Sequence, residues 1–139
     1  MNSISEKLQL YSVSHQNPVN QQIHKICVPL ISLSLIGLLQ EVPSPVDVSW
    51  ILITGALIYY ASFRNLKVLI VAILQISVMV ILLSQISHHR WQIFSFIFVL
   101  AWIGQFIGHH VEGKRPSFLQ DLQFLLIGPL WILHPLVKY

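Results

Sequence analysis

Two short segments of this sequence concentrate residues that can bind a metal ion. In the first segment, His15, Asn17, Asn20 and His24 lie within ten residues. Asn17 directly precedes Pro18, a pair that predicts a helix start, because Asn caps helices and Pro fits the first helical position. Asn20 and His24 are four residues apart and would share one face of that helix. His15 precedes the cap and could fold back over the first turn.

The second segment lies towards the other end of the chain, where His109, His110 and Glu112 follow one another closely. His109 and Glu112 are three residues apart, so they share a face if the preceding helix continues this far. Lys114 and Arg115 come next and have two interpretations. They either set the membrane orientation of the chain or hold a substrate carboxylate.

Imidazole and carboxylate side chains together indicate a transition-metal site. They suit iron, zinc, manganese or nickel, and such a set with open positions is typical of a non-haem Fe(II) oxygenase. The predicted ligands are histidines, with one carboxylate as a further contributor: His15, His24, His109, His110 and Glu112. The predicted catalytic residues beside the ligands are Asn17, Asn20 and Glu112. The candidate substrate contacts are Lys114, Arg115 and Gln123, and Gln123 could also orient a ligand, as the two Asn residues would.

Two other functions fit the same histidines. His24 and His109 could be the axial ligands of a b-type haem. Alternatively, the histidines could be anchors at the membrane interface of a structural or lipid-binding protein without catalysis. His134, between an apolar residue and a proline, is interpreted as such an interfacial histidine. Hydrolysis by a nucleophile is poorly supported, because the sequence contains no Gly-x-Ser-x-Gly and Cys27 lies in an apolar run.

The composition indicates that lipid surrounds the elements carrying these residues. Of 139 residues, 55% are hydrophobic and only 9% are charged, whereas a soluble domain carries about 25% charged residues. So short a chain forms one domain and cannot hide this much apolar surface inside itself. A net charge of +3 is too small and scattered to predict nucleic acid as a partner. A single cysteine excludes an internal disulfide.

The apolar runs predict an all-α, polytopic membrane helix bundle over residues 1–139. Residues 1–23 form a polar segment, and residues 24–139 form the bundle. About four transmembrane helices are predicted from the apolar runs 26–39, 48–63, 68–86 and 91–108. A fifth run, 122–137, is short and contains two prolines, which favours a re-entrant or interfacial helix over a full span.

The basic residues predict the orientation of the bundle. Lys and Arg flank the first run and occupy loops 64–67 and 109–121, which places the N-terminus and these loops in the cytoplasm. Both histidine segments then lie on the cytosolic side. The expected location is the inner membrane in a bacterium or the endoplasmic reticulum in a eukaryote.

The same residues carry a resemblance to the 2-hydroxy fatty acid dioxygenases, formerly catalogued as a domain of unknown function. The resemblance covers about residues 11–133 and rests on these motifs: His15-x-Asn17-Pro-x-Asn20-x-x-Ile23-His24, Val28-Pro29, Gln105-Phe-Ile-Gly108-His109, Glu112-Gly-Lys-x-Pro116, Leu122-Gln123-Phe and Gly128-Pro129. The two histidine motifs together are fairly specific, whereas either alone would be weak.

The resemblance implies an enzyme that uses Fe(II) and O2 to shorten a long-chain 2-hydroxy fatty acid by one carbon. The essential histidines of the family would be His15, His24 and His109, and His110 fits the pattern less well. The substrate could chelate iron through its hydroxyl and carboxylate groups, so that no 2-oxoacid co-substrate is needed. The acyl tail would enter from the bilayer and lie among the apolar helices.

Overall fold

The computed structural model of the protein describes residues 3–114 and 118–139. Over these residues the chain is entirely helical, with no strand, which confirms the predicted all-α fold. The six helices are α1 (Ile4–Val13), α2 (Pro18–Gln40), α3 (Ser49–Ser62), α4 (Leu66–Ser84), α5 (Arg90–Glu112) and α6 (Phe118–Val137).

Three helices in the described part of the chain are long and apolar enough to cross a membrane, namely α2, α4 and α5. They contain 19 to 23 residues and therefore measure about 29–35 Å, close to the thickness of a bilayer core. The remaining predicted span, from the apolar run 48–63, forms α3. This helix has 14 residues, or about 21 Å, and is shorter than expected. The helices indicate a membrane protein, and the orientation of the bundle stays a prediction.

The N-terminal segment predicted as polar forms a helix that contributes to the core. Ile4, Leu8 and Tyr11 in α1 are buried, because their spacing places them on one face of the helix. The Trp131 indole N–H of α6 donates a hydrogen bond to the Ser12 hydroxyl over 2.8 Å. This packing places the residues that follow α1, including His15, against the bundle instead of in solvent.

Helices α2 and α5 are antiparallel and form the closest helix pair in the bundle. Their approach depends on small residues, since a Cβ atom at Gly104 would lie only 2.5 Å from the Cys27 Sγ. At Gly108 a Cβ would lie 2.4 Å from the Asn20 Oδ1. The first turns of α2 therefore lie beside the last turns of α5, so the two predicted histidine segments meet at one end of the bundle.

At the opposite end of the bundle, Arg90 joins the ends of three helices. Its guanidinium donates to the side chains of Gln40, the last residue of α2, and Glu41, which follows it. It also donates to the Leu83 carbonyl in the last turn of α4 and to the Ile86 carbonyl just beyond that helix. These hydrogen bonds hold Arg90, the first residue of α5, against the last turn of α2. It thereby sets the register in which the far ends of the two helices meet.

Helix α6 is continuous through both of its prolines, although the sequence predicted an interrupted run. Side chains from neighbouring helices hydrogen-bond to its backbone near Pro129. The Gln75 amide donates to the Pro129 carbonyl over 3.2 Å, and the Tyr60 hydroxyl donates to the Leu126 carbonyl over 2.8 Å. These bonds tie α6 to α3 and α4 near the proline. Whether α6 crosses the membrane stays a prediction.

Candidate metal centre

The three histidines predicted as principal ligands lie together in the structure. The ring centroids of His15 and His24 are 4.2 Å apart, and those of His24 and His109 are 5.5 Å apart. All three side chains are buried, with at most 6% of their surface exposed. The α1–α2 loop carries His15, α2 carries His24 and α5 carries His109, so the cluster forms only when the helices pack.

Hydrogen bonds determine which ring nitrogen His15 and His24 can offer to a metal. The Nδ1 of His15 lies 2.7 Å from the Tyr11 carbonyl oxygen, and the Nδ1 of His24 lies 3.0 Å from the Asn20 carbonyl oxygen. A carbonyl only accepts, so each Nδ1 carries the hydrogen and each Nε2 keeps a free lone pair. Burial lowers the pKa of His15, which favours this neutral form. The Nε2 of His15 is buried without a hydrogen-bond partner.

A carboxylate absent from the predicted ligand set completes the cluster. The Oδ1 of Asp121 lies 2.8 Å from the Nε2 of His109, but this nitrogen forms no hydrogen bond of acceptable geometry. The Oδ2 of Asp121 is also buried and unpartnered. Two ligand atoms that each lie about 2.1 Å from one metal ion, in directions at right angles, are about 3 Å from each other. The two side chains form an ion pair, and the same spacing fits neighbouring ligands of one metal ion.

Sequence reasoning missed Asp121 because it stands alone, without a nearby histidine in the chain. One signal could have identified it, since Asp121 is an acidic residue directly before an apolar run. Ionisable residues that are buried near a membrane are energetically costly and are usually functional.

A small, partly open cavity lies at the cluster. Its lining combines candidate ligands with other polar and aromatic side chains, among them His15, His24, Asp121, Tyr11, Gln105 and Phe124. Gln105 precedes His109 by one turn of α5 and is 5% exposed. Its amide can therefore bond to a small polar ligand in the cavity.

The donor set fits a metal such as iron, although the site is not pre-arranged. Among the described residues, no three His, Cys, Asp or Glu side chains already stand at the spacing of a formed metal centre. Three imidazoles and one carboxylate nevertheless converge on one buried point, and orphaned nitrogen and oxygen atoms are present there. Such a set suits iron and leaves open positions on a six-coordinate ion.

The b-type haem alternative stays a prediction. Asp121 lies beside His109 and adds a carboxylate to the cluster, a ligand type that is typical of non-haem iron sites.

Glu112, predicted as catalytic and as a further ligand contributor, is directed to the start of α2. Its two carboxylate oxygens accept hydrogen bonds from the Gln16 backbone N–H (2.9 Å), the Asn17 backbone N–H (3.0 Å) and the Asn20 side-chain amide (2.8 Å). These bonds fasten the loop that carries His15 to the end of α5. Glu112 is therefore a positioning residue in this structure.

The two asparagines also position the site. Asn17 caps α2 as predicted, because its side-chain oxygen accepts from the Val19 N–H over 2.9 Å. Asn20 is fully buried and links two parts of the site, donating to Glu112 with its side chain and accepting from His24 with its carbonyl.

The remaining predicted site residues are not brought to the cluster. His110 is exposed on α5, and Lys114 is exposed with its ammonium group 3.2 Å from the Val13 carbonyl. Gln123 is exposed and lines a different groove, beside Lys7 and Tyr59. Arg115 lies outside the described residues.

The other histidines are distant from the cluster. His88 and His89 are exposed in the turn before α5, at the opposite end of the bundle. His134 lies thirteen residues beyond Asp121 on α6, about 20 Å along the helix axis, and stacks on Tyr139 with ring centroids 5.6 Å apart. The interpretation of His134 as a residue outside the metal site agrees with this position.

Asn20→Ala should lower metal affinity by about 10–100-fold, the usual cost of removing a group that orients a ligand. The alanine leaves Glu112 with one hydrogen-bond donor fewer and frees space beside His24. Asn65→Ala is the matched control, since Asn65 also caps a helix, α4, but forms no hydrogen bond to Glu112 or to the clustered histidines. Titration of both metal-free variants with Fe(II) under anaerobic conditions measures the difference. Equal affinities would contradict the positioning role.

Comparison with known proteins shows the family to which this chain belongs. The model of the Mpo1-like family, described as 2-hydroxy-palmitic acid dioxygenase Mpo1-like, matches residues 1–138. The chain belongs to the Mpo1-like family. The 2-hydroxy-palmitic acid dioxygenase MPO1 of Saccharomyces cerevisiae is 30% identical to it over 137 residues, which cover 94% of this chain and 77% of the yeast protein. No solved structure matches the chain.

Membership of the Mpo1-like family confirms the resemblance found from the histidine motifs. It supports, at the level of the family, a dioxygenase-related function in lipid metabolism. The match also covers α1 and α6, which carry the core residues and the carboxylate that sequence reasoning overlooked.

Proposed function

We propose that this protein is an Fe(II)-dependent dioxygenase that shortens a long-chain 2-hydroxy fatty acid by one carbon. The observation that carries the proposal is the buried cluster of three histidines and one carboxylate at the end of an apolar helix bundle. The similarity to a yeast 2-hydroxy-palmitic acid dioxygenase supports the choice of substrate.

Four residues would hold the iron: His15, His24, His109 and Asp121. When bound, iron would supply the activation of O2, which does not react readily with a saturated acid unaided. The protein would contribute a fixed, neutral set of histidines, because Nδ1 of His15 and Nδ1 of His24 are committed to backbone carbonyls. Glu112 and Asn20 would keep the α1–α2 loop against α5 during turnover.

The polar head of the substrate would occupy the cavity beside the ligands. The bound metal would attract its 2-hydroxyl and carboxylate oxygens, and the Gln105 amide would donate to the carboxylate. The cluster is buried, so the reacting atoms would be shielded from bulk water.

The atoms balance without a further reductant. A 2-hydroxy acid and one O2 give the acid one carbon shorter, one CO2 and one water as the C1–C2 bond breaks. The substrate supplies all four electrons that O2 accepts, which removes any need for a 2-oxoacid co-substrate.

Anaerobic loading of the purified protein with Fe(II), followed by addition of air and 2-hydroxypalmitate, tests the proposal. We expect mass spectrometry to detect pentadecanoate. Palmitate, which lacks the 2-hydroxyl group, is the control and should remain intact. If iron is bound but 2-hydroxypalmitate and its longer homologues stay unchanged, a lipid-binding function without catalysis replaces this one.

A further inference from the structure

A second and larger cleft lies inside the bundle, between α2, α3, α4 and α6. It encloses about 590 Å³, including its open mouth. Its walls are almost wholly apolar, with contributions from Leu35, Ile53, Ala56, Ala72 and Met79.

The polar side chains that reach the cleft include two that are already hydrogen-bonded. The Tyr60 hydroxyl donates to the Leu126 carbonyl, and the Gln75 amide donates to the Pro129 carbonyl. Each of the two thereby uses a donor on the backbone of α6. A charged or hydroxylated ligand would lose its hydration in this space without compensation, whereas a hydrocarbon chain would not.

The cleft adjoins the metal centre. Leu125 lines both spaces, and it lies four residues after Asp121 on α6, about 6 Å along the axis. On α2 the wall passes from Ile31 in the metal cavity to Ser32 in the cleft. The cleft then extends to Ile36, about 18 Å along α2 from His24.

We infer that this cleft binds the alkyl tail of the 2-hydroxy fatty acid while the head group occupies the metal cavity. The inference rests on the proposed function and adds to it the path of the tail and the wall that limits chain length. Each methylene buried in the cleft should tighten binding about fourfold, so the cleft predicts a preference for long chains.

Ala56 offers a direct test of the wall, because its side chain faces the cleft from α3 and is half-buried. Ala56→Phe would place a ring where the tail lies. The neighbouring residue provides a matched control, since a Cβ added at Gly55 meets nothing within 4 Å. Gly55→Phe adds the same ring to the same helix but outside the cleft.

Turnover of a series from 2-hydroxyoctanoate to 2-hydroxystearate should separate the two variants. We expect Ala56→Phe to raise KM for the longest acids at least about tenfold, equivalent to the loss of two buried methylenes, and to spare 2-hydroxyoctanoate. Gly55→Phe should follow the wild type at every length. An equal effect of Ala56→Phe on all lengths, or no effect, would overturn the inference.

Photo-crosslinking gives a readout that needs no turnover. A 2-hydroxypalmitate analogue with a diazirine at its tail should label cleft residues such as Met79 and Ile76, and unlabelled 2-hydroxypalmitate should compete. Labelling confined to outward-facing residues such as Leu74, or cleft labelling that only phospholipid displaces, would overturn the inference. If unlabelled 2-hydroxypalmitate competes with labelling in the cleft but no acid of the series is converted to product, the inference stands and the proposed reaction is refuted.

Discussion

His24→Ala and His109→Ala should each reduce bound metal from about one ion per chain to a trace, with a loss of activity above 100-fold. Each substitution removes a donor from the set that would hold the ion, and this should exceed the roughly 10–100-fold effect of removing a residue that only orients a ligand. Both histidines are buried at the cluster, so water cannot easily replace the lost ligand. Metal analysis of protein purified from membranes measures the result.

His110→Ala is the matched control for this experiment. His110 is the same residue type, adjacent to His109 on the same helix, but it is exposed and outside the cluster. The variant should retain its metal and its activity. Circular dichroism of all three variants separates metal loss from unfolding. Full metal retention in His24→Ala and His109→Ala would refute the proposed metal centre, and metal loss in His110→Ala would assign the ligands differently.

Gly108→Ala should lower metal affinity and activity by about 100-fold, the cost expected for displacing a ligand by roughly 1 Å. The new Cβ would lie 2.4 Å from the Asn20 Oδ1 and 3.0 Å from the His24 Cε1. Asn20 cannot turn aside freely, because it is fully buried and its amide is bonded to Glu112. Either α2 and α5 separate or His24 moves, and both changes disturb the cluster.

Gly55→Ala is the control for this second substitution. Both changes replace a helical glycine and so add the same intrinsic helix stabilisation, about 1 kcal/mol. At Gly55 the added methyl group meets no neighbouring atom within 4 Å, so metal affinity should stay at the wild-type value. Fe(II) titration and thermal unfolding of both variants measure the contrast. Wild-type metal affinity in Gly108→Ala would show that the close approach of α2 and α5 does not position His24.

The structure assigns different roles to two carboxylates near the site. Glu112 stands next to the histidines in the sequence but binds the N–H groups that precede and begin α2. Asp121 is nine residues further along the chain, and the packing of α6 brings it to His109. The position of Glu112 beside the histidines in the sequence therefore pointed to a carboxylate that supports the candidate site. The carboxylate that lies within the site, Asp121, comes from another helix.

Several features could be predicted from the sequence alone because they depend on local chemistry. The low content of charge indicated a membrane bundle, and the Asn17-Pro18 pair predicted the start of α2, as the structure confirms. The spacing of Asn20 and His24 placed both on one face of a helix, since positions four residues apart are neighbours there. The resemblance to the dioxygenase family rested on these same motifs.

Only the tertiary structure decided which of these residues meet. His15, His24 and His109 form one cluster because small residues let α2 and α5 approach closely, a property of the pair of helices that neither helix shows alone. Three residues of α1 are buried because this helix packs against α6, and their spacing among polar neighbours was not enough to predict that burial. Helix packing decided which face of α5 meets α2, and this left His110 exposed while the docking of α6 brought Asp121 to His109.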